Sequence, residues 1–209
     1  MYSVKEIYYT LQGEGFYTGR PSVFLRFTGC NLWSGKEKDR KKAICDWCDT
    51  DFIGNDGING AKYLGSEIIK IIKTLWPKKE QSKPYIVFTG GEPLIQLDNE
   101  LIERVHKAGF EIGVETNGTM TPPSGIDWIC VSPKARSNFI LKKGNELKVV
   151  FPQYEFNPLD HENLEFEHFF IQTMDGLNQK ENIRKSEDFV LKYPRWKLSI
   201  QTHKILGIP

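Results

Sequence analysis

One recurring unit constrains the fold of this chain more than any other feature. It is a short apolar run, rich in β-branched and aromatic residues, that stops in a polar or glycine-bearing signature. The run in "SVFLRFTG" (22–29) leads into "TGC", the one in "YIVFTGGEP" (85–93) into "TGGEP", and the one in "EIGVETNG" (111–118) into "ETNG". Likewise "DWICVSPK" (127–134) ends in "SPK", "HFFIQT" (168–173) in "QTMD" and "WKLSIQTHK" (196–204) in "QTHK". Such runs are predicted strands, and "ELKVVFP" (146–152) is another. Helical patterns lie between them. "GSEIIKIIKTLWP" (65–77) places Ile68, Ile69, Ile72, Leu75 and Trp76 on one stripe and stops at Pro77. "LDNELIERVHKAG" (97–109) does the same with Leu97, Leu101, Val105 and Ala108, with Gly109 as its stop, and a last helix is predicted around 182–194. Strands alternating with helices give parallel βα units with right-handed crossovers. In such folds ligands bind beyond the carboxyl ends of the strands. A polar turn after one strand needs no function to explain it. Six of such unlike types favour one shared site.

The 209 residues show no repeat, low-complexity tract or linker, so a single α/β domain over 1–209 is expected, with residues 31–44 as an insertion. A chain of this length buries enough surface to need no disulfide staple. The net charge of +1 lacks the basic excess of a nucleic-acid-binding domain, so no direct nucleic-acid partner is expected. No apolar run approaches the roughly 20 residues of a membrane span. The segment "MYSVKEIYYTLQGEG" has no apolar signal core, and clustered thiols without an export signal suggest the cytoplasm.

Three of the four cysteines fall within "CNLWSGKEKDRKKAICDWC" (30–48). Cys45 and Cys48 have C-x2-C spacing, and Cys30 precedes them by fourteen intervening residues, directly after a predicted strand. Thiolates so spaced suit zinc, an iron–sulfur cluster or a redox pair. The redox reading is the poorest, because the pair opens no thioredoxin-like helix and a third thiol shares the region. Zinc would take its fourth ligand from His106, His161, His168 or His203, none of which has finger-like spacing. A cluster with three protein thiolates leaves one iron open to a non-protein ligand. Cys130 lies in an apolar run and reads as a small buried hydrophobe. Within the insert Lys36, Lys38, Arg40, Lys41 and Lys42 are interleaved with Glu37 and Asp39, which suggests a solvated helix face or a docking surface for an electron donor.

Three thiols together with "TGGEP" resemble the radical S-adenosylmethionine enzymes. Over its whole length the chain resembles the 7-carboxy-7-deazaguanine synthase family within them. The matching stretches include "LQGEG", "CDWCDTDF", "TGGEPLIQLD", "ETNGT", "DWICVSPK", "NELKVV" and the terminal "QTHKILGIP". Most radical S-adenosylmethionine enzymes carry C-x3-C-x2-C, and the long first gap here matches a subset of the synthase family. The resemblance implies a modified, incomplete (β/α) barrel of the radical S-adenosylmethionine type. It implies a 4Fe–4S cluster on Cys30, Cys45 and Cys48, whose open iron binds S-adenosylmethionine, so that reductive cleavage yields a 5′-deoxyadenosyl radical.

The same resemblance assigns S-adenosylmethionine contacts to Trp47, Cys48, Asp49 and Gly91, to Ser132, Pro133 and Lys134, and to Gln172, Thr173, Met174 and Asp175. It gives Mg²⁺ to the hydroxyl of Thr50. The implied substrate is 6-carboxy-5,6,7,8-tetrahydropterin, held by Leu11, Gln12, Gly13, Arg26, Thr89 and the carboxylate of Pro209, with Glu14, Glu115 and His203 as further contacts. An arginine inside "FLRF" is costly to bury unless paired, and its two-pronged donor geometry suits a carboxylate. The implied reaction contracts the pterin ring to 7-carboxy-7-deazaguanine with loss of ammonia, on the route to queuosine-type 7-deazapurines in tRNA. A flavodoxin-like or other electron donor and a homodimer are expected. The rival readings are an activase that installs a glycyl radical in a partner protein, and a zinc-stabilised Cys3His binding module.

Overall fold

Strand β1 (Tyr2–Leu11) pairs antiparallel with β2 (Pro21–Phe27), so the chain opens with a hairpin. The structure, a computed structural model, describes residues 1–78 and 82–209. β1 lies outside the strands predicted above, because Lys5 and Glu6 mask an apolar pattern. Tertiary partners resolve the conflict: Lys5 is almost fully buried, and its Nζ donates to the carbonyl of Ile53 and to Asp56 while pairing with Asp51. A short strand β3 (Ala61–Tyr63) covers the outer edge of β1.

From β2 onward the sheet grows in chain order. Helix α1 (Gly65–Leu75) leads to β4 (Tyr85–Gly90), and α2 (Asn99–Lys107) leads to β5 (Glu111–Thr116). Then come β6 (Trp128–Val131), β7 (Lys143–Phe151), β8 (Glu165–Thr173), α3 (Gln179–Lys192) and β9 (Lys197–Ser199). Among the described residues the order is β3-β1-β2-β4-β5-β6-β7-β8-β9, with every pairing from β2 to β9 parallel. The sheet does not close, as an incomplete barrel requires. A sheet that adds strands in one direction, through right-handed crossovers, keeps its helices on one face and encloses the other.

The two-residue period of a strand then sorts the side chains. In β2, Val23, Leu25 and Phe27 pack outward with Ile68 and Ile72 of α1 and Leu101 and Val105 of α2, while Phe24 and Arg26 face inward. In β7, Leu147 and Val149 join Phe169, Ile171 and Trp196 under α3, while Lys148 and Val150 face inward. Each fully buried leucine or isoleucine contributes roughly 1.5–3 kcal/mol. Asp98 caps α2 by accepting from the Leu101 amide, and Gly109 follows its end at φ +91°, as the sequence pattern requires.

One expectation needs correction. The run 196–204 is not one strand: β9 stops at Ser199, and residues 202–206 form helix α4 (Thr202–Leu206). The backbone of Gly13 captures this segment, accepting from both the amide and the hydroxyl of Thr202 at 2.9 Å each. The basic insert forms a short 3-10 helix over Glu37–Lys42 with no buried residue, a solvated helix face as the interleaved charges suggest. One of its cations turns back on the protein. The Arg40 guanidinium lies 4.0 Å from the Trp33 ring and donates to the carbonyls of Asp46 and Cys48, each at 3.0 Å.

Candidate active site

A cavity of about 360 Å³ opens at the carboxyl ends of the parallel strands. One end of it carries thiols. Cys45 and Cys48 line the wall with Trp47, Asp49 and Thr50, while Cys30 sits just behind it at the end of β2. The Cys48 thiol is pushed down to about 6. The hydrogen bond from Cys45 is the main cause, opposed by burial and aided by the Thr50 amide and the Lys134 ammonium. Cys45 is pushed far up in return, and burial raises Cys30. The loop thus holds one thiol favoured as thiolate beside two that burial and pairing keep protonated.

The signature "TGGEP" is pressed against this loop. A Cβ on Gly91 would stand 2.3 Å from the Gly29 carbonyl oxygen and 2.6 Å from the Cys30 Cβ. The Glu92 amide donates to that same Gly29 carbonyl at 3.0 Å. The glycine is therefore required by the approach of the cysteine loop, and Gly91 itself does not line the cavity. Glu92 is fully buried. Its carboxylate accepts from the amides of Leu94 and Asn117 and from the Thr116 hydroxyl, which locks the end of β4 to the end of β5.

The neighbouring strand ends supply the next wall. Ser132 and Lys134 follow β6, with Lys134 Nζ 2.6 Å from Ser132 Oγ and 5.4 Å from the Trp47 ring centre. Pro133 faces away from the cavity, its carbonyl accepting from Gln153. Gln172, Thr173, Met174 and Asp175 line the cavity after β8. Lys204 of α4 bridges Asp175 and Asp49, at 2.6 and 2.7 Å.

At the far end the charges change character. Arg26 donates from Nε to Glu6 at 2.8 Å and from Nη2 to the Tyr8 hydroxyl at 3.3 Å, with Thr89 nearby on the lining. Across from it Lys148, only 4% exposed in its side chain, pairs with Glu14 at 2.8 Å and Glu115 at 2.9 Å. Burial disfavours each charge, but the pairing prevails: Glu14 is held down at about 2 by Lys148, Gln201 and His203 despite its burial. Gln12 donates to Glu115 at 3.2 Å, and Leu11 and Gly13 complete the loop. His203 lines the cavity and is held below the ordinary histidine value, chiefly by burial. The last residue reaches the same rim, with the Pro209 carbonyl oxygen accepting from the Thr10 hydroxyl at 2.8 Å.

The structure thus gathers most residues singled out from sequence into one cavity, and leaves Cys30, Gly91 and Pro133 off its lining. Sequence reasoning passed over Tyr8, Lys148, Gln201 and Lys204. For Lys148 there was a signal, since a lysine inside the apolar "LKVV" is as conspicuous as Arg26 in "FLRF". Cys130 is buried, as expected. Of the candidate zinc histidines, His106 bonds the Gly125 carbonyl, His161 stacks on Phe156 and His168 on Phe16. Only His203 reaches the cavity, and among the described residues no three His, Cys, Asp or Glu side chains converge on one ion position. A cluster makes no such demand, because its thiolates sit on separate irons.

Comparison with known proteins gives this geometry a family. Residues 41–151 match the model of the radical SAM superfamily, beginning inside the insert and so after Cys30. The 7-carboxy-7-deazaguanine synthase of Bradyrhizobium diazoefficiens is 53% identical over 208 residues, covering 99% of both chains. That of Burkholderia multivorans is 52% identical across all of this chain and 99% of its own. The chain belongs to the 7-carboxy-7-deazaguanine synthase family. The crystal structure of QueE from Escherichia coli shares the fold at a TM-score of 0.73, with 25% identity over 97% of this chain and 94% of that one. Membership of the radical SAM superfamily implies a 4Fe–4S cluster and S-adenosylmethionine. The synthase-family cavity fits both: two thiols line one end, one of them favoured as thiolate, Cys30 belongs to the same loop, and beside them stand an aromatic ring and strand-end polar groups.

Proposed function

We propose that this member of the family converts 6-carboxy-5,6,7,8-tetrahydropterin to 7-carboxy-7-deazaguanine with release of ammonia, on the path to queuosine-type 7-deazapurines. One observation carries the reading. A single cavity has thiols at one end and, at the other, buried and paired charges that complement a pterin bearing a carboxylate.

Cys30, Cys45 and Cys48 would hold the cluster, and Trp47, Asp49, Gly91, Ser132–Lys134 and Gln172–Asp175 would surround S-adenosylmethionine. When bound, the pair supplies one-electron radical chemistry that takes a hydrogen from the substrate. The chain's own residues do the rest. Arg26, already oriented by Glu6 and Tyr8, offers its guanidinium to the substrate carboxylate. Glu14 and Glu115, held as acceptors, take N–H groups of the pterin edge, and Gln12 braces Glu115. A His203 that stays neutral near pH 7 presents one donor and one acceptor. Thr50, on the lining two residues past Cys48, would offer its hydroxyl to Mg²⁺, an ion that keeps waters and takes substrate oxygens with few protein ligands. The protein would act in the cytoplasm as a homodimer of single-domain subunits, served by a flavodoxin-like or other electron donor.

The test is turnover under anaerobic conditions with reconstituted protein, reductant, S-adenosylmethionine and the carboxytetrahydropterin. The expected products are 7-carboxy-7-deazaguanine, identified by mass, and one equivalent of ammonia. Cluster-loaded protein that cleaves S-adenosylmethionine yet leaves the pterin unchanged would overturn the reading.

A further inference from the structure

Among the buried charges, Lys148 has no role in the reading so far. Its side chain projects from the middle of β7 into the cavity, and its ammonium ties together two carboxylates from distant parts of the chain. Glu14 lies in the loop after β1, and Glu115 near the end of β5. Each carboxylate spends one oxygen on Lys148 and the other on an amide side chain: Glu14 Oε1 accepts from Gln201 at 3.0 Å, and Glu115 Oε1 from Gln12 at 3.2 Å. An ionised carboxylate has about four acceptor sites, so each retains capacity for two more donors. Both line the cavity.

We propose that Lys148 is a positioning residue for the substrate end. Clamped between Glu14 and Glu115, its ammonium fixes both carboxylates as acceptors, so that they receive the adjacent N–H groups of a 2-amino-4-oxopyrimidine edge. It thereby makes the site selective for heterocycles that carry a guanidine-like donor edge. The inference rests on the pterin reading above and adds a residue and a reason for its selectivity. The alternative for an inward lysine, a direct contact to the substrate carboxylate, is less well placed, since Arg26 pairs with a single acid, Glu6, and keeps further N–H donors for that group, whereas Lys148 is committed to two acids.

Removing the ammonium has a predictable sign. The groups facing Lys148 are Glu115 from β5, Cys130 from β6, Glu146 on its own strand, Glu14 from the loop after β1 and His203 from α4. Apart from His203, all are acids. Without Lys148, burial and the mutual repulsion of the two carboxylates have only the Gln12 and Gln201 amides and His203 against them, and favour a proton on the pair. A protonated carboxyl presents a donor to a donor edge. Affinity must then fall at low pH and recover as pH rises, whereas the paired carboxylates of the native site give a nearly flat profile, because Glu146, raised by burial to about 7, does not line the cavity.

The experiment is calorimetric binding of the carboxytetrahydropterin to cluster-loaded protein without S-adenosylmethionine, so that no turnover occurs, from about pH 6 to about pH 9. Native protein should bind with nearly constant affinity. Lys148→Met should bind about tenfold or more weaker at the acid end, the scale of losing one bond to a charged group, and regain much of that at the alkaline end. Lys148→Arg, which keeps the charge, should preserve the flat profile. Glu14→Gln/Lys148→Met removes one of the two acids; it covers the case in which the single variant fails to fold, and with Glu115 left as the one unpaired acid it should keep a pH dependence, weaker than that of Lys148→Met. Flat binding in Lys148→Met, or an equal loss at every pH, overturns the proposal, as does a flat profile in the double variant when the single variant does not fold. Failure of native protein to bind the pterin would sink the functional reading with it, so the two failures are distinct.

Discussion

Substituting Gly91 by alanine tests how tightly the cysteine loop is held. A Cβ there would meet the Gly29 oxygen at 2.3 Å, the Gly29 carbonyl carbon at 2.8 Å and the Cys30 Cβ at 2.6 Å. None of these is the far end of a flexible side chain. Relief requires the strand end at β2 and the loop of Cys30 to retreat by about 1 Å, the kind of overpacking that costs about 1–3 kcal/mol. In a chain of this size each kcal/mol lowers the melting temperature by about 2–4 °C, so a cost near 2 kcal/mol predicts a fall of about 4–8 °C. The moved backbone carries a proposed iron ligand, so iron content should fall as well. Gly109→Ala serves as the control: φ is +91° there and nothing stands within 4 Å, so only backbone strain of about 1 kcal/mol is added, far from the thiols. Thermal unfolding followed by circular dichroism, with iron and sulfide analysis, reads both effects. If Gly91→Ala keeps full iron and melts within a degree of native protein, the close approach is not structural and the reasoning fails.

Cys30→Ala, Cys45→Ala and Cys48→Ala should each abolish cluster assembly while Cys130→Ala leaves it intact; full iron in any of the first three would remove that residue from the ligand set. Thr50→Ala should weaken Mg²⁺ stimulation of turnover without changing the visible spectrum, and an unaltered Mg²⁺ titration would count against the role. A few residues added after Pro209 should raise the Michaelis constant for the pterin while sparing S-adenosylmethionine binding, and equal constants would clear Pro209. The hydrogen bond from Arg20 holds the Glu111 carboxyl below its usual range. Its stabilisation is therefore complete above the unfolded pKa of about 4.3 and is lost as pH falls through the lower folded value. Glu111→Gln should flatten the acid limb of a urea-midpoint profile, and an unchanged limb would refute the pair's contribution.

The inner strands were legible because each carries a β-branched apolar run between turn signals, as β4 and β8 do. β1 was not, since Lys5 and Glu6 look like surface residues until Asp51, Asp56 and Arg26 are placed beside them. The helix at 202–206 was hidden for the same reason: its start depends on Gly13, nearly the whole chain away. In the site, recognisable motifs marked the strand ends, where chemistry concentrates in short signatures. Lys148, Lys204 and Gln201 escaped because their roles are made by partners from distant elements rather than by local spacing.

The exposed segment over Glu37–Lys42 bears on how far two proposed cluster ligands can drift apart along the chain. Closing a longer loop costs chain entropy only logarithmically, so widening a three-residue gap to fourteen costs about 1.4 kcal/mol. Arg40 offsets a loss of that order with its bonds to the carbonyls of Asp46 and Cys48 and its stack on Trp33. The insertion thus carries its own fastener, and the distance between thiols in the sequence is nearly independent of the distance that matters in space.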